Sequence, residues 1–99
     1  MSKTFYSDYV NHCIRFYIRH PHPKYHSSAD KENWLVCDKA LNSFSDKDRH
    51  LLLAVYSTEG DSLADSVNQV SQDRNVRQET IWKVVNELER KIAKRRGLL

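Results

Sequence analysis

The sequence has few glycines and prolines, with two of each among 99 residues. All-β proteins need tight turns in which these residues recur, so their scarcity argues against that class and favours helices with short connections. The two cysteines, Cys13 and Cys37, are too few for a disulfide framework, and a reduced, cytoplasmic setting is expected. No apolar run approaches the roughly 18 residues that a membrane span needs, and the first residues lack a secretory pattern. We therefore expect no membrane partner.

Charge is unevenly distributed along the chain, although the formal net charge is only +3. Residues 41–73 include two basic and six acidic residues, whereas residues 74–99 include eight basic and three acidic residues. A basic end on a polar molecule is typical of proteins that bind anions, and nucleic acid is the first candidate. Basic residues in a last helical turn also complement the helix dipole, so charge alone leaves both interpretations open.

The spacing of apolar residues predicts no β-strand and five helices, over 4–19, 29–42, 46–57, 63–73 and 78–95. Three of these helices begin near a Ser-x-x-Asp signature, in which the serine hydroxyl accepts from a backbone amide of the first turn. The three serines are Ser27, Ser45 and Ser62. The predicted fold class is all-α, a compact bundle of about five helices.

The first helix has an unusually wide apolar face made of two adjacent stripes. Together they contain Phe5, Tyr6, Tyr9, Val10, Cys13, Phe16 and Tyr17. One neighbouring helix does not normally cover so wide a face. The helix is therefore expected to run through the centre of the core or to form a homodimer contact.

The last two predicted helices have the layout of a helix-turn-helix, with a tight turn at 74–77 before the long basic helix. In that motif the second helix enters the DNA major groove, about 12 Å wide, with its N-terminal residues towards base edges. The turn needs a residue that tolerates a positive φ, for which Asn75 is suited, and the small Ser71 lets the helices approach. Gly97 is well placed to end the long helix.

Two segments follow a known pattern without gaps, DKDRHLL at 46–52 and VSQDRNVRQETIWKV at 70–84. In them, and at Val55 and Tyr56, the chain resembles region four of bacterial sigma factors, the module that reads the upstream promoter element. The matching positions are Val70, Ser71, Val76, Glu79, Thr80 and Ile81, with Asn75 in place of a glycine. Three positions depart from the family pattern: Arg74 replaces an aliphatic residue, Arg77 a Ser or Thr N-cap, and Trp82 a frequent Arg or Lys.

The resemblance covers residues 44–96 of a single expected domain, 1–99, in which 1–43 form an N-terminal helical part. It implies a DNA-binding, transcription-related regulator or sigma-like accessory factor that reads duplex DNA with the helix 78–95. Small proteins of this type occur in phages and mobile elements of Gram-positive bacteria. RNA polymerase is a further partner that the resemblance implies, and the first helix is one place for that contact. The alternative is a protein-interaction adaptor that uses the same helices without binding DNA.

Two sets of side chains are assigned to the DNA. The resemblance implies base contacts from Gln78, Glu79, Trp82 and Lys83. Glutamine can pair with adenine, glutamate can accept from cytosine and lysine can donate to guanine. Six further basic residues are better suited to phosphates, and these are Arg74, Arg77, Lys91, Lys94, Arg95 and Arg96.

No local pattern indicates an enzyme, a cofactor or a metal. There is no glycine-rich phosphate loop and no nucleophile beside a base. His22 and His26 match only half of a zinc-ligand spacing, and His20 adds no recognised pattern. Both cysteines lie in apolar stripes, where a free thiol behaves as a small hydrophobe. We expect no catalytic residue, no cofactor and no metal site.

Overall fold

Five helices make up most of the described structure. The computed structural model describes residues 7–19, 28–58 and 62–97, and no strand occurs within those ranges. The helices are α1 (Ser7–Arg19), α2 (Ser28–Asn42), α3 (Asp46–Ser57), α4 (Leu63–Arg74) and α5 (Gln78–Arg95). The Cα radius of gyration is 13.1 Å, close to the ~13 Å of a compact domain of about this size. The predicted all-α bundle of about five helices is confirmed.

Serine caps define the beginnings of α3 and α4. The side-chain oxygens of Ser45 and Ser62 accept from the amides of Asp48 and Asp65, each at 3.2 Å. Each bond satisfies an amide that the first helical turn leaves without an intrahelical partner, as the Ser-x-x-Asp spacing predicted. The third predicted serine, Ser27, lies outside the described residues.

All five helices contribute to one hydrophobic core. α5 packs against each of the other four helices, and α1 packs against α2, α3 and α5. The largest fully buried apolar side chains include Val10, Ile14, Leu41, Leu52, Val55, Val67, Ile81, Val85, Leu88 and Ile92. None of the helices in the described part of the chain has the length and apolar content needed to cross a membrane.

The wide apolar face of α1 packs against three neighbouring helices, α2, α3 and α5. Val10, Cys13 and Ile14 are buried, and three further residues of α1 pack partly buried against the core. These are Tyr9, Tyr17 and Ile18. Phe5 and Tyr6, which the prediction included in this face, lie outside the described residues. The homodimer contact stays a prediction.

Polar side chains also join α1, α3 and α4. The Arg15 guanidinium of α1 donates to the carbonyl oxygens of Tyr56 and Thr58, at 3.1 and 3.4 Å. These carbonyls lie at the C-terminal end of α3, where helical partners are lacking. The buried hydroxyl of Ser66 on α4 donates to the same Thr58 oxygen at 3.1 Å. Thr58 thus links three helices at the point from which the chain leads towards α4.

Candidate nucleic-acid interface

A tight turn over 75–77 connects α4 to α5. Asn75 has φ 53° and ψ 47°, the left-handed conformation predicted for it, and its amide bonds to the Ser71 carbonyl. That carbonyl also accepts from the Val76 amide at 3.1 Å, and the Ser71 hydroxyl donates to the Val76 carbonyl. Val76 itself packs against the core. Because the turn is bonded to α4 and also packed against the core, it sets where α5 begins.

α5 has one buried face and one exposed face. The buried face consists of Ile81, Val84, Val85, Leu88, Glu89, Ile92 and Ala93. A shallow surface groove runs along the opposite face, and we call it the basic groove. It is lined by Lys83, Asn86, Glu87, Arg90, Lys91 and Lys94. Four of these six side chains are cationic and one is acidic, so the groove favours an anionic partner.

Three basic-groove residues, Asn86, Glu87 and Arg90, were missed by the sequence prediction. Asn86 and Arg90 are both exposed and lie between Lys83 and Lys94 along the helix. Residues 83, 87, 90 and 94 are spaced by three or four, which places them on one face of an α-helix. Extending the helical spacing from Lys83 would therefore have found Arg90 from the sequence.

The four residues predicted to contact bases do not share one environment. Gln78, Glu79 and Lys83 are exposed at the start of α5, whereas Trp82 is half-buried and packs against the core. Glu79 lies 3.5 Å from the Arg77 guanidinium, and both side chains are more than four-fifths exposed. A pair so exposed is worth little in water and leaves both groups accessible to another partner.

The Gln78 side chain is bonded to the preceding helix. Its Nε2 donates to the Oδ1 of Asn68 on α4, at 2.9 Å. The Nε2 of Gln72 donates to the same oxygen at 3.5 Å. All three side chains are exposed. The first residue of α5 is therefore oriented by a contact from α4.

The six residues predicted to contact phosphates also divide into two groups. Four are exposed, with Arg74 and Arg77 around the turn and Lys94 and Arg95 at the far end of α5. Lys91 is half-buried: its Nζ donates to the Ser43 hydroxyl at 2.9 Å and lies 4.6 Å from the centre of the Phe44 ring. Its ammonium group is also 3.9 Å from a Glu87 carboxylate oxygen. Lys91 is thus held between α5 and the segment after α2.

Arg96 is held within the bundle. Its guanidinium lies 2.7 Å from the Glu32 carboxylate and donates to the Tyr9 hydroxyl at 2.9 Å, and its side chain is only 22% exposed. The Tyr9 hydroxyl in turn donates to Asn33 at 2.6 Å. The bond with Tyr9 raises the pKa of Arg96, against the opposing effect of burial, and Glu32 adds to the rise. Arg96 thereby joins the end of α5 to α1 and α2, and the phosphate contact predicted for it stays a prediction.

Tyr9 keeps its proton in this arrangement. Burial is the main cause that raises the pKa of Tyr9, and the hydrogen bond from Arg96 opposes that rise. A protonated phenol can donate to Asn33 while it accepts from Arg96. The cluster is therefore satisfied at neutral pH.

Within the three described ranges, no group of three or more His, Cys, Asp or Glu side chains is placed to hold a metal ion. His20, His22 and His26 lie outside those ranges.

Comparisons of the chain with family models, with curated proteins and with solved structures gave no match. The resemblance to sigma region four therefore rests on the sequence motifs.

Proposed function

We propose that this chain binds double-stranded DNA through α4, the turn and α5, as a transcription-related regulator or sigma-like accessory factor of phage or mobile-element type. The observation that carries the proposal is the basic groove on α5. One face of the helix is anchored in the core, while the opposite face presents Lys83, Arg90 and Lys94 at helical spacing. A rigid helix with cations along its outer face suits the phosphates that border a major groove.

Different parts of α5 take different roles in this proposal. Gln78, Glu79 and Lys83 lie near its N-terminus, where a helix inserted into the groove meets base edges. Arg74 and Arg77 flank that end and are assigned to phosphates. Lys94 follows Lys83 by eleven positions, or about 16 Å along the helix axis, so Lys94 and Arg95 contact phosphates away from those bases.

A second candidate is a protein-interaction module. The sequence predicted such an adaptor on the helices α4 and α5, but the observation that favours protein binding lies on a different surface. Tyr17 and Trp34 pack with ring centroids 5.1 Å apart and line a groove between α1, α2 and α3. Leu53 and Ile18 line the same groove. Aromatic residues in a surface groove are typical of protein interfaces. RNA polymerase is the partner that the sequence resemblance implies for such a surface.

A salt titration of duplex binding tests the proposal. Fluorescence anisotropy of a labelled random-sequence duplex would be measured at several salt concentrations with the full chain. The matched variants are Arg90→Ala with Lys94→Ala in the basic groove, and Lys47→Ala with Lys39→Ala on exposed parts of α3 and α2.

The groove double variant is expected to bind more weakly and to flatten the salt dependence, by about 0.9 in the log–log slope for each lost phosphate contact. The control double variant should bind like the wild type. If wild-type protein binds no duplex even at low salt, the DNA proposal fails and the adaptor takes its place.

A further inference from the structure

We infer that Asn68 is a positioning residue that orients the Gln78 amide for pairing with adenine in the major groove. The inference rests on the proposed function, because it concerns how the start of α5 reads a base. It is carried by the hydrogen bonds that join the exposed side chains of α4 and α5, in which Asn68 Oδ1 accepts from Gln78 Nε2 at 2.9 Å.

The planar amide group of glutamine ends in an NH₂ group and an oxygen atom, which are similar in size but opposite in hydrogen-bonding character. When it rotates by half a turn, the donor Nε2 and the acceptor Oε1 exchange places. A carbonyl oxygen of Asn68 accepts only from a donor, so it keeps Nε2 of Gln78 on the Asn68 side. The opposite orientation would place two oxygens against each other without a proton between them.

The oriented amide still has one N–H and the Oε1 oxygen free of these contacts. Adenine presents one acceptor, N7, and one donor, the N6 amino group, in the major groove. Guanine presents two acceptors, N7 and O6, at the corresponding positions. Gln78 held in this way can therefore make both hydrogen bonds with adenine, whereas its Oε1 would face the O6 oxygen of guanine.

Asn68 is suited to this role because its backbone is anchored in the bundle. It lies on α4 directly after Ser66 and Val67, which are both fully buried. Gln72, one turn further along α4, donates to the same Asn68 oxygen. The Asn68 oxygen thus accepts from both Gln72 and Gln78. A side chain fixed before binding loses less conformational entropy when it contacts a base.

The test is a binding-ratio experiment with the full chain. A preferred duplex is first selected from a randomised pool, and Gln78→Ala identifies the base pair at which adenine preference depends on Gln78. The affinities for the A·T and G·C versions of that duplex are then measured for wild type, Asn68→Ala, Asn68→Asp and Gln69→Ala. Gln69 is the matched control, because it is exposed on α4 and bonds to Asp73 instead.

The wild type is expected to prefer A·T by roughly 5- to 150-fold, the range for one bidentate base contact. Asn68→Ala should lower that ratio by at least about threefold, while its melting temperature and its affinity for random duplex stay at the wild-type values. Asn68→Asp retains an acceptor and should keep the ratio, although its charge weakens binding to both duplexes alike. Gln69→Ala should keep both the ratio and the affinity.

An unchanged ratio in Asn68→Ala, with wild-type binding to random duplex, would overturn the inference and leave the proposed function standing. The inference would also be overturned, with the proposed function left standing, if Gln78→Ala kept the wild-type adenine preference at every base pair. Absence of any duplex binding by the wild type would instead overturn the proposed function, and the inference with it.

Discussion

Neighbouring basic residues at the end of α5 have different environments. Arg95 is exposed, whereas Arg96 contacts Glu32 and Tyr9, two residues far away along the chain. The sequence shows that both residues are basic and follow a helical stripe, but it does not show which helix lies across from each. The sequence therefore predicted a basic surface and could not separate the exposed basic residues from Arg96, which is held by α1 and α2.

Replacement of Arg96 should destabilise the fold, and replacement of Arg95 should not. Arg96→Gln removes hydrogen bonds to a carboxylate and a tyrosine and is expected to lower the free energy of unfolding by about 1–2 kcal/mol. Arg95→Gln changes an exposed side chain and should stay within about 0.5 kcal/mol of wild type. Urea unfolding of both variants measures the difference. Equal effects would show that the contacts of Arg96 contribute nothing to stability.

Lys83 provides the residue-level prediction for binding. Under the proposed function its ammonium group donates to a base near the start of α5, so Lys83→Ala should weaken a selected site by roughly 1–3 kcal/mol. The affinity of Lys83→Ala for random duplex should fall by less. Lys94→Ala with Arg95→Ala should weaken both duplexes alike, since phosphate contacts do not depend on the base sequence. Anisotropy titrations of each variant against the selected site and the random duplex measure these losses of affinity. If Lys83→Ala also weakens both alike, Lys83 contacts the DNA backbone only.

At the scale of whole elements, the helix beginnings were the most predictable part of the fold. The cap signatures at Ser45 and Ser62 are local, since a hydroxyl and an amide three residues apart meet whatever the tertiary structure is. The beginning of α5 differs, because its N-cap is Arg77, which makes no side-chain cap bond. α5 is instead positioned by its buried face and by the turn at Asn75.

A better cap should therefore stabilise α5. Arg77 already has the extended backbone of an N-cap, with φ −65° and ψ 137°. Arg77→Ser is expected to raise the free energy of unfolding by about 0.5–1 kcal/mol, and Ser62→Ala to lower it by about 1 kcal/mol. Under the proposed function Arg77→Ser also weakens DNA binding, because a cation is lost. Chemical unfolding measures the stability change, and a destabilised Arg77→Ser would show that Arg77 supports the turn in another way.

For the molecule as a whole, the sequence predicted that α1 has more apolar surface than one helix can cover, but not which helices cover it. The observed packing against α2, α3 and α5 depends on contacts between distant parts of the chain. It also buries an ionisable thiol. Cys37 is fully buried, and burial, with smaller contributions from Cys13 and Asp38, raises its pKa from 9.0 to about 12.

The protein should lose stability in alkaline solution through this thiol. In the unfolded chain Cys37 ionises near pH 9, whereas in the folded chain it keeps its proton to about pH 12. The unfolded state then binds fewer protons between those values, so stability falls as the pH rises from 9 towards 12. Unfolding free energies of wild type and Cys37→Ala would be compared from pH 8 upward. Cys37→Ala should be less stable than wild type at pH 8, and its unfolding free energy should fall less steeply as the pH rises. If the two unfolding free energies fell in parallel, the Cys37 thiol would not be the cause of the decline.

The Arg15 contacts bear on whether the part that resembles sigma region four can exist alone. The guanidinium that satisfies the last carbonyls of α3 belongs to α1, outside residues 44–96. A fragment that begins at residue 44 would leave the Tyr56 and Thr58 carbonyls without this donor and would expose the core side that α1 and α2 cover. Amide hydrogen exchange should therefore show the slowest-exchanging amides of α1, α3 and α5 opening together, in one cooperative event. We therefore expect that residues 44–96 do not fold without the helices α1 and α2.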